Sequence, residues 1–149
     1  LANGIYVRGA AGIRSLMHNL YALQALCGGK RTKGQRLMSG FGVNEKERVY
    51  QHFEHHDYLE LLGEENGCRA GCRTGLLVYR QTEFIQGGVH EDQEGFYVLE
   101  GRGRAKVGEE VFSLEPGTSF IAPAGMEHYI CRDADCPYIK LFFFHAFSD

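Results

Sequence analysis

Short apolar runs separated by turn residues dominate the chain after residue 73, and this pattern predicts a series of β-strands. Glycine, proline and aspartate recur between the runs, so that the strands follow one another at a spacing of about ten residues. Seven or eight short strands at this spacing indicate an antiparallel sandwich or small barrel. The predicted strands are Gly75–Phe84, Gly95–Leu99, Ala105–Val107, Val111–Leu114, Ser119–Ala122, His128–Cys131 and Tyr138–Phe144.

The pattern before residue 73 is less regular and leaves two interpretations open. Ser15–Leu26 has leucines near helical spacing, and a second helix can begin after Asn44, with Glu47 completing its cap. Tyr50–Leu62 also fits an extended segment. So short and glycine-rich a stretch can hardly bury a core of its own. We therefore expect residues 1–73 to be an extension of mixed or helical character that packs on the barrel or on a partner subunit.

Composition places the chain among globular proteins. Its 149 residues are 44% hydrophobic and 23% charged, which is enough for one buried core and too few for two ordinary domains. The formal net charge of −3 gives no basis for a general nucleic-acid surface. No apolar run is long enough to cross a bilayer, and the first residues do not have the pattern of a secretory signal. We expect a cytoplasmic protein with no nucleic-acid or membrane partner.

The five cysteines do not predict a disulfide framework, because their number is odd. Two pairs are close in sequence, Cys68 with Cys72 and Cys131 with Cys136. A shared zinc site is an alternative, but antiparallel pairing of the first and last barrel strands would put the two pairs at opposite ends. We therefore expect ordinary reduced thiols.

Two histidines and a glutamate stand where a barrel would direct them to one point. His90 and Glu94 flank a turn between two predicted strands, and His128 follows the turn that begins at Pro123. Two imidazoles and one carboxylate form a well-known facial ligand set for Fe, Mn, Ni or Zn as divalent ions, with positions left open for water or substrate. These three residues are the predicted metal ligands.

Two segments that contain these residues resemble the motifs of the cupin superfamily. The segment 88–101 (GVHEDQEGFYVLEG) is similar to the first cupin motif, and the segment 117–128 (GTSFIAPAGMEH) is similar to the second. The resemblance implies a small single-barrel cupin, an all-β antiparallel jelly-roll barrel, over residues 74–149. It also implies that His90, Glu94 and His128 are the ligands of a divalent metal ion.

The first segment departs from the cupin pattern at one ligand position. The usual motif has two histidines one residue apart before the glutamate, and Gly88 stands where the first would be. Water can fill the fourth position, or Gln86 can reach the metal or hold a bound water, since residues 86, 88 and 90 share one face of a strand. The remaining alternative is an N-terminal histidine that folds over the mouth of the barrel: His52, His55 or His56. We assign His145, near the end of the last strand, a structural role.

The resemblance does not identify the reaction, because many functions occur on this barrel. One hypothesis is a small metal-dependent enzyme of the dioxygenase, isomerase or lyase type, which acts on a small oxygen-bearing molecule. The alternative is a non-catalytic protein that binds or senses a sugar or an organic acid, with or without metal. No catalytic residue follows from the sequence. We expect a small-molecule ligand or substrate and a homodimer, since an apolar barrel with an extension commonly pairs with a second copy.

Overall fold

Antiparallel strands account for nearly all of the regular structure in the described part of the chain. A computed structural model describes residues 40–147. The predicted helix at Ser15–Leu26 lies outside these residues. Among the described residues, no helix is both long and apolar enough to pass through a membrane.

Nine strands and two single-turn 3₁₀ helices follow one another along residues 40–147. The helices are Glu45–Glu47 and Glu64–Asn66. The strands are β1 (Gln51–His52), β2 (His56–Leu62), β3 (Arg73–Tyr79), β4 (Gln93–Glu100), β5 (Gly103–Val107), β6 (Glu110–Leu114), β7 (Ser119–Ala122), β8 (His128–Arg132) and β9 (Ile139–Ala146). The structure describes all of residues 74–146, and none of them is helical.

The strands form two antiparallel sheets. Six of them pair in the order β1-β2-β3-β9-β4-β7, and three pair in the order β6-β5-β8. The last strand, β9, thus lies between β3 and β4, although β3 and β4 are neighbours in sequence. A bridge between Gly88 and the first residue of β8 connects the loop before β4 to the smaller sheet. The prediction of an all-β antiparallel jelly-roll barrel is confirmed.

Alternation of side chains along the strands builds the core between the two sheets. On β9, the side chains of Ile139, Leu141 and Phe143 are fully buried, whereas the residues between them are only partly covered or exposed. On β4, Phe96 and Val98 are buried in the same way. Because successive strand residues point to opposite faces, the next inward positions are Glu94 on β4 and His145 on β9. Polar residues therefore occupy one end of an apolar interior.

Residues 40–73 take the extended alternative beyond a single turn. Asn44 accepts a hydrogen bond from the backbone N–H of Lys46 at 3.0 Å, and the side chain of Glu47 accepts one from the backbone of Asn44. The helix ends after three residues, so the longer helical alternative is wrong. Burial explains the outcome, because Tyr58 packs on the barrel core while its neighbours Asp57 and Leu59 are buried on the other face of β2, which pairs along its length with β3. The domain boundary near residue 73, the packing of the whole extension and the homodimer stay predictions.

The four cysteines in the described part of the chain are free. Cys68 lies in the loop before β3 and Cys72 directly precedes that strand, whereas Cys131 is fully buried on β8. The group of potential metal ligands found among the described residues contains no cysteine. The shared four-cysteine site therefore receives no support from residues 40–147.

Candidate metal centre

Glu94 is a carboxylate inside the barrel. Its place on β4, in alternation with Phe96 and Val98, turns its side chain inward, where the residue is only 5% exposed. Burial raises the pKa of the Glu94 carboxyl, but hydrogen bonds from His128 and His145, in the forms that carry a proton on Nε2, outweigh that effect and hold the pKa at about 2. Glu94 is therefore ionised at neutral pH, and a buried charge of this kind needs a positive or hydrogen-bonding environment.

His90 reaches Glu94 from the loop between β3 and β4. The carbonyl oxygen of His90 accepts a hydrogen bond of 2.7 Å from the N–H of Gly125, which is the turn residue with a φ of 72° before β8. This contact holds the two cupin-like segments together. His90 Nε2 lies 3.2 Å from Glu94 Oε2. Burial lowers the pKa of His90, which favours the neutral imidazole that binds metal ions.

His128 opens β8 and faces the same carboxylate. Its backbone exchanges two hydrogen bonds with Gly88, of 2.8 and 2.9 Å, which fixes the start of the strand. The imidazole is buried, and its Nε2 lies 3.1 Å from Glu94 Oε2. Nδ1 lies 3.3 Å from the carbonyl oxygen of Met126, a partner that leaves Nε2 directed at Glu94.

His145 completes the cluster from the last strand. It is directly opposite Glu94 in the pairing of β4 with β9, and it is only 4% exposed. Its Nε2 lies 3.3 Å from Glu94 Oε1, and its Nδ1 lies 2.9 Å from Oδ2 of the buried Asp92. The ligand atoms of His90, Glu94 and His145 all lie within 4.8 Å of one another. His128 is outside this most compact set but contacts the same carboxylate.

The donor set fits a divalent metal ion. Three imidazole nitrogens surround one carboxylate at 3.1 to 3.3 Å. Ligand atoms that are each about 2.1 Å from one ion lie roughly 3.0 to 3.4 Å apart, depending on the coordination geometry. Imidazole and carboxylate are also the donors that Fe, Mn, Ni and Zn accept. The residues present therefore suit the ion that the resemblance implies.

Gly88 borders the site and has no room for a side chain in this arrangement. A Cβ atom at Gly88 would lie 2.7 Å from His128 Nε2 and 3.2 Å from His90 Nε2. Position 88 thus faces the cluster, as the first histidine of the cupin motif would. In this chain the imidazoles of His90 and His128 crowd that place.

A cavity of about 250 Å³ opens onto the cluster. Its walls are partly apolar, from Leu77 and Ile130, and partly polar, from the tyrosines Tyr58 and Tyr79. Burial raises the pKa of Tyr58 to about 12, so this phenol stays protonated, and its hydroxyl donates a hydrogen bond of 3.2 Å to Glu60 Oε2. The cavity would hold roughly eight water molecules at about 30 Å³ each, which limits a ligand to a small molecule.

The three predicted ligands lie close together, and the candidates for the fourth ligand position differ in whether they line the cavity. Gln86, His55 and His56 all line the cavity, whereas His52 does not and instead binds Asp57 at 2.7 Å. Sequence reasoning missed His145 as a member of the cluster and assigned it a structural role. The available signal was the alternation of Ile139, Leu141 and Phe143, which puts His145 on the inward face of the same strand.

The Cupin domain family matches residues 82–138, which include His90, Glu94 and His128. The described residues have the cupin fold. This family match covers both cupin-like segments, so the resemblance seen in the sequence is confirmed. The matched residues carry three of the four clustered side chains, Glu94 on β4, His128 on β8 and His90 in the loop before β4, and β9 carries the fourth. None of the curated proteins matches the sequence.

Solved structures share the cupin fold at low sequence identity. Hydroxypropylphosphonic acid epoxidase from S. wedmorenis is 16% identical with a TM-score of 0.62, over 70% of this chain and 58% of the epoxidase. The polyketide cyclase RemF from Streptomyces resistomycificus is 14% identical with a TM-score of 0.61, over 73% of this chain and 79% of the cyclase. FeII HppE is 14% identical with a TM-score of 0.59, over 79% of this chain and 64% of that protein. The chain therefore spans less than two thirds of the epoxidase, and the likeness shows the fold.

Proposed function

We propose that this cupin binds a divalent metal ion, Fe, Mn, Ni or Zn, through His90, Glu94 and His128. The observation that carries the proposal is a buried, ionised Glu94 with imidazole nitrogens at 3.1 to 3.3 Å on both of its oxygens. A cation among these groups offsets the cost of burying the carboxylate. The fold neighbour FeII HppE supports iron as one candidate.

The protein is, in this proposal, a small metal-dependent enzyme of the dioxygenase, isomerase or lyase type. A bound metal would supply Lewis-acid or redox chemistry to an oxygen-bearing substrate. The chain would supply the cavity, in which Leu77 and Ile130 exclude water from one side and the hydroxyl of Tyr79 on its wall orients the ligand by a hydrogen bond. Fold neighbours that are an epoxidase and a cyclase support an enzyme of this general kind.

A non-catalytic binding protein is the second candidate. The hydroxyl, imidazole and amide groups of Tyr79, His55 and Gln86 on the cavity wall favour it, because such groups can bind sugar or acid oxygens without any reaction. Among residues 40–147, those that line the cavity include no lysine or arginine, so a small acid would rely there on the metal or on histidine for charge. The enzyme and the binding protein would use the same cavity, and only the enzyme would convert the bound molecule into a product.

Metal content tests the proposal. Wild type, Glu94→Ala and His128→Ala are purified without a metal-affinity column, and the metal per chain is measured by mass spectrometry. We expect the two variants to lose most of the metal, because each removes a donor from one small set. His52→Ala is the matched control, since His52 is an exposed histidine outside the cavity, and it should keep the wild-type content. Equal metal content in all four proteins would reject the metal site.

Turnover separates the enzyme from the binding protein. The Fe(II)-loaded protein is incubated in air with panels of small hydroxy acids and sugars, and products are identified by mass spectrometry. An enzyme converts at least one compound and loses this activity in Glu94→Ala. A binding protein shifts its melting temperature with a compound and leaves that compound unchanged.

A further inference from the structure

The Asp92–His145 pair is unusual because neither residue belongs to the cupin-like ligand pattern and both are buried at the cluster. Asp92 is 6% exposed and His145 is 4% exposed. Asp92 precedes Glu94 by two residues and lies just before β4, and His145 is opposite Glu94 on β9. Buried carboxylates need partners, and the partner of Asp92 is His145 Nδ1 at 2.9 Å.

We propose that His145 is a metal ligand that compensates for the histidine missing at position 88, and that Asp92 is the positioning residue that makes it one. This inference rests on the proposed metal-binding function. With His145, the protein donors number four: three imidazoles and the Glu94 carboxylate. His145 approaches Glu94 Oε1, whereas His90 and His128 approach Oε2, so the new donor comes from a different direction.

The hydrogen bond to Asp92 determines which nitrogen of His145 faces the cluster. A neutral imidazole carries one N–H. A carboxylate such as that of Asp92 accepts hydrogen bonds and does not donate them. The proton therefore belongs on Nδ1, and Nε2 presents its lone pair toward Glu94 Oε1 at 3.3 Å. His145 Nε2 and Glu94 Oε1 are then two acceptors that repel each other at this distance. A cation between them would be attracted to both atoms and would remove the repulsion. A carboxylate behind a ligating histidine is the usual way in which proteins fix the ring and strengthen it as a donor.

Crowding at Gly88 is consistent with this shift of the ligand. A side chain at position 88 would have its Cβ 2.7 Å from His128 Nε2. Such a side chain and the observed position of the His128 imidazole therefore exclude each other. His145, by contrast, has a buried place on a central strand whose neighbours on the same face are Phe143 and Leu141. The last strand thus offers a fixed donor where the first motif has none.

Metal affinity tests both residues. The Kd for Co²⁺ is measured by competition with a chromophoric chelator for wild type, His145→Ala, Asp92→Asn and the double variant. We expect Asp92→Asn to weaken binding about 10- to 100-fold, as removal of such supporting carboxylates does, and His145→Ala to weaken it at least as much. The double variant should bind no more weakly than His145→Ala, because Asp92 acts through His145. His145→Gln, which keeps a polar side chain of similar size, provides the same test if His145→Ala does not fold.

Asp57→Asn is the matched control. Asp57 is also a buried aspartate, 7% exposed, and it also holds a histidine Nδ1, that of His52 at 2.7 Å. It does not line the cavity. Its replacement should leave the Kd for Co²⁺ within about twofold of wild type, since substitutions without shared partners act independently.

The tautomer of His145 gives a readout that needs no metal. Long-range ¹H–¹⁵N NMR spectra of the metal-free protein are recorded, and the His145 signal is assigned by its loss in His145→Gln. We expect the Nδ1–H tautomer in wild type and a shift toward Nε2–H in Asp92→Asn. An Nε2–H tautomer in wild type would overturn the positioning role of Asp92.

The outcomes distinguish this inference from the proposed function. If wild type binds Co²⁺ and His145→Ala binds it with the same Kd, His145 is not a ligand, and the inference fails while the metal function stands. If wild type binds no Co²⁺, the proposed function fails and the ligand role of His145 fails with it. Metal binding that is lost in His145→Ala and weakened in Asp92→Asn supports both.

Discussion

Replacing Gly88 by alanine is a sharp test of the site, because it adds one carbon atom at a known place. The new Cβ would lie 2.7 Å from His128 Nε2 and 2.8 Å from His128 Cε1. That is roughly 0.8 Å inside the lower limit, about 3.5 Å, of favourable non-bonded separations. Gly88 is not among the glycines with positive φ, so the cost is one of space and not of backbone strain.

The imidazole of His128 must move, and two properties should change together. Overpacking of this kind costs about 1–3 kcal/mol of the free energy of unfolding. Catalytic and metal-binding groups have to be held within about 0.5 Å, so we expect the Kd for Co²⁺ to rise by about tenfold or more. Urea unfolding of the metal-free protein measures the first quantity, and chelator competition measures the second.

Gly40→Ala is the matched control, since a Cβ at Gly40 meets no atom within 4 Å and its φ is also not positive. It should have wild-type stability and metal affinity. Wild-type stability and metal affinity in Gly88→Ala as well would show that position 88 does not face His128. Gly88→His restores the ligand type of the cupin motif but brings the same crowding, so we expect it to bind Co²⁺ more weakly than wild type.

Three further predictions concern the fold and the bound ion. Leu141→Ala, at a fully buried position, should lower the free energy of unfolding by about 2–5 kcal/mol, whereas Leu99→Ala, at a position 40% exposed, should change it by less than about 1 kcal/mol in urea titrations. Burial raises the pKa of Asp57, but hydrogen bonds with His52 and Arg80 outweigh it and lower that pKa below its usual value. The folded pKa is thus below the unfolded one, so Asp57 stabilises the fold above about pH 4 and loses this effect as the pH falls through the folded pKa. Asp57→Asn should therefore be less stable than wild type by about 1–3 kcal/mol at pH 7, and the difference should shrink at pH 3, while an equal difference at both pH values would contradict the pKa shift. Co²⁺ at 100 times its Kd should raise stability by about 2.7 kcal/mol in wild type and by much less in Glu94→Ala, as thermal melts with and without EDTA would measure.

The strands could be predicted from the sequence because their signal is local. Ser119–Ala122 was predicted at its observed bounds, and the remaining barrel strands differ from prediction mainly at their ends. The alternation of apolar and polar residues and the turn residues that bound it span only a few neighbouring positions. A strand can therefore be predicted without information on distant contacts. The same local grammar was ambiguous at Asn44, where a capping box is present but a helix of only one turn follows. Pairing of β2 with β3 decides that segment, and this pairing is not a local property.

Three of the four side chains in the cluster follow from the sequence by itself, and the fourth follows only from the tertiary structure. His90, Glu94 and His128 stand in two segments whose spacing is typical of cupins, so the sequence predicts these three residues as ligands without coordinates. Asp92 and His145 are 53 residues apart, and no spacing rule connects them. They meet because β9 inserts between β3 and β4 and its register sets His145 opposite Glu94. Strand order and register depend on how the whole sheet buries its apolar face, and that is a property of the folded chain and not of any segment.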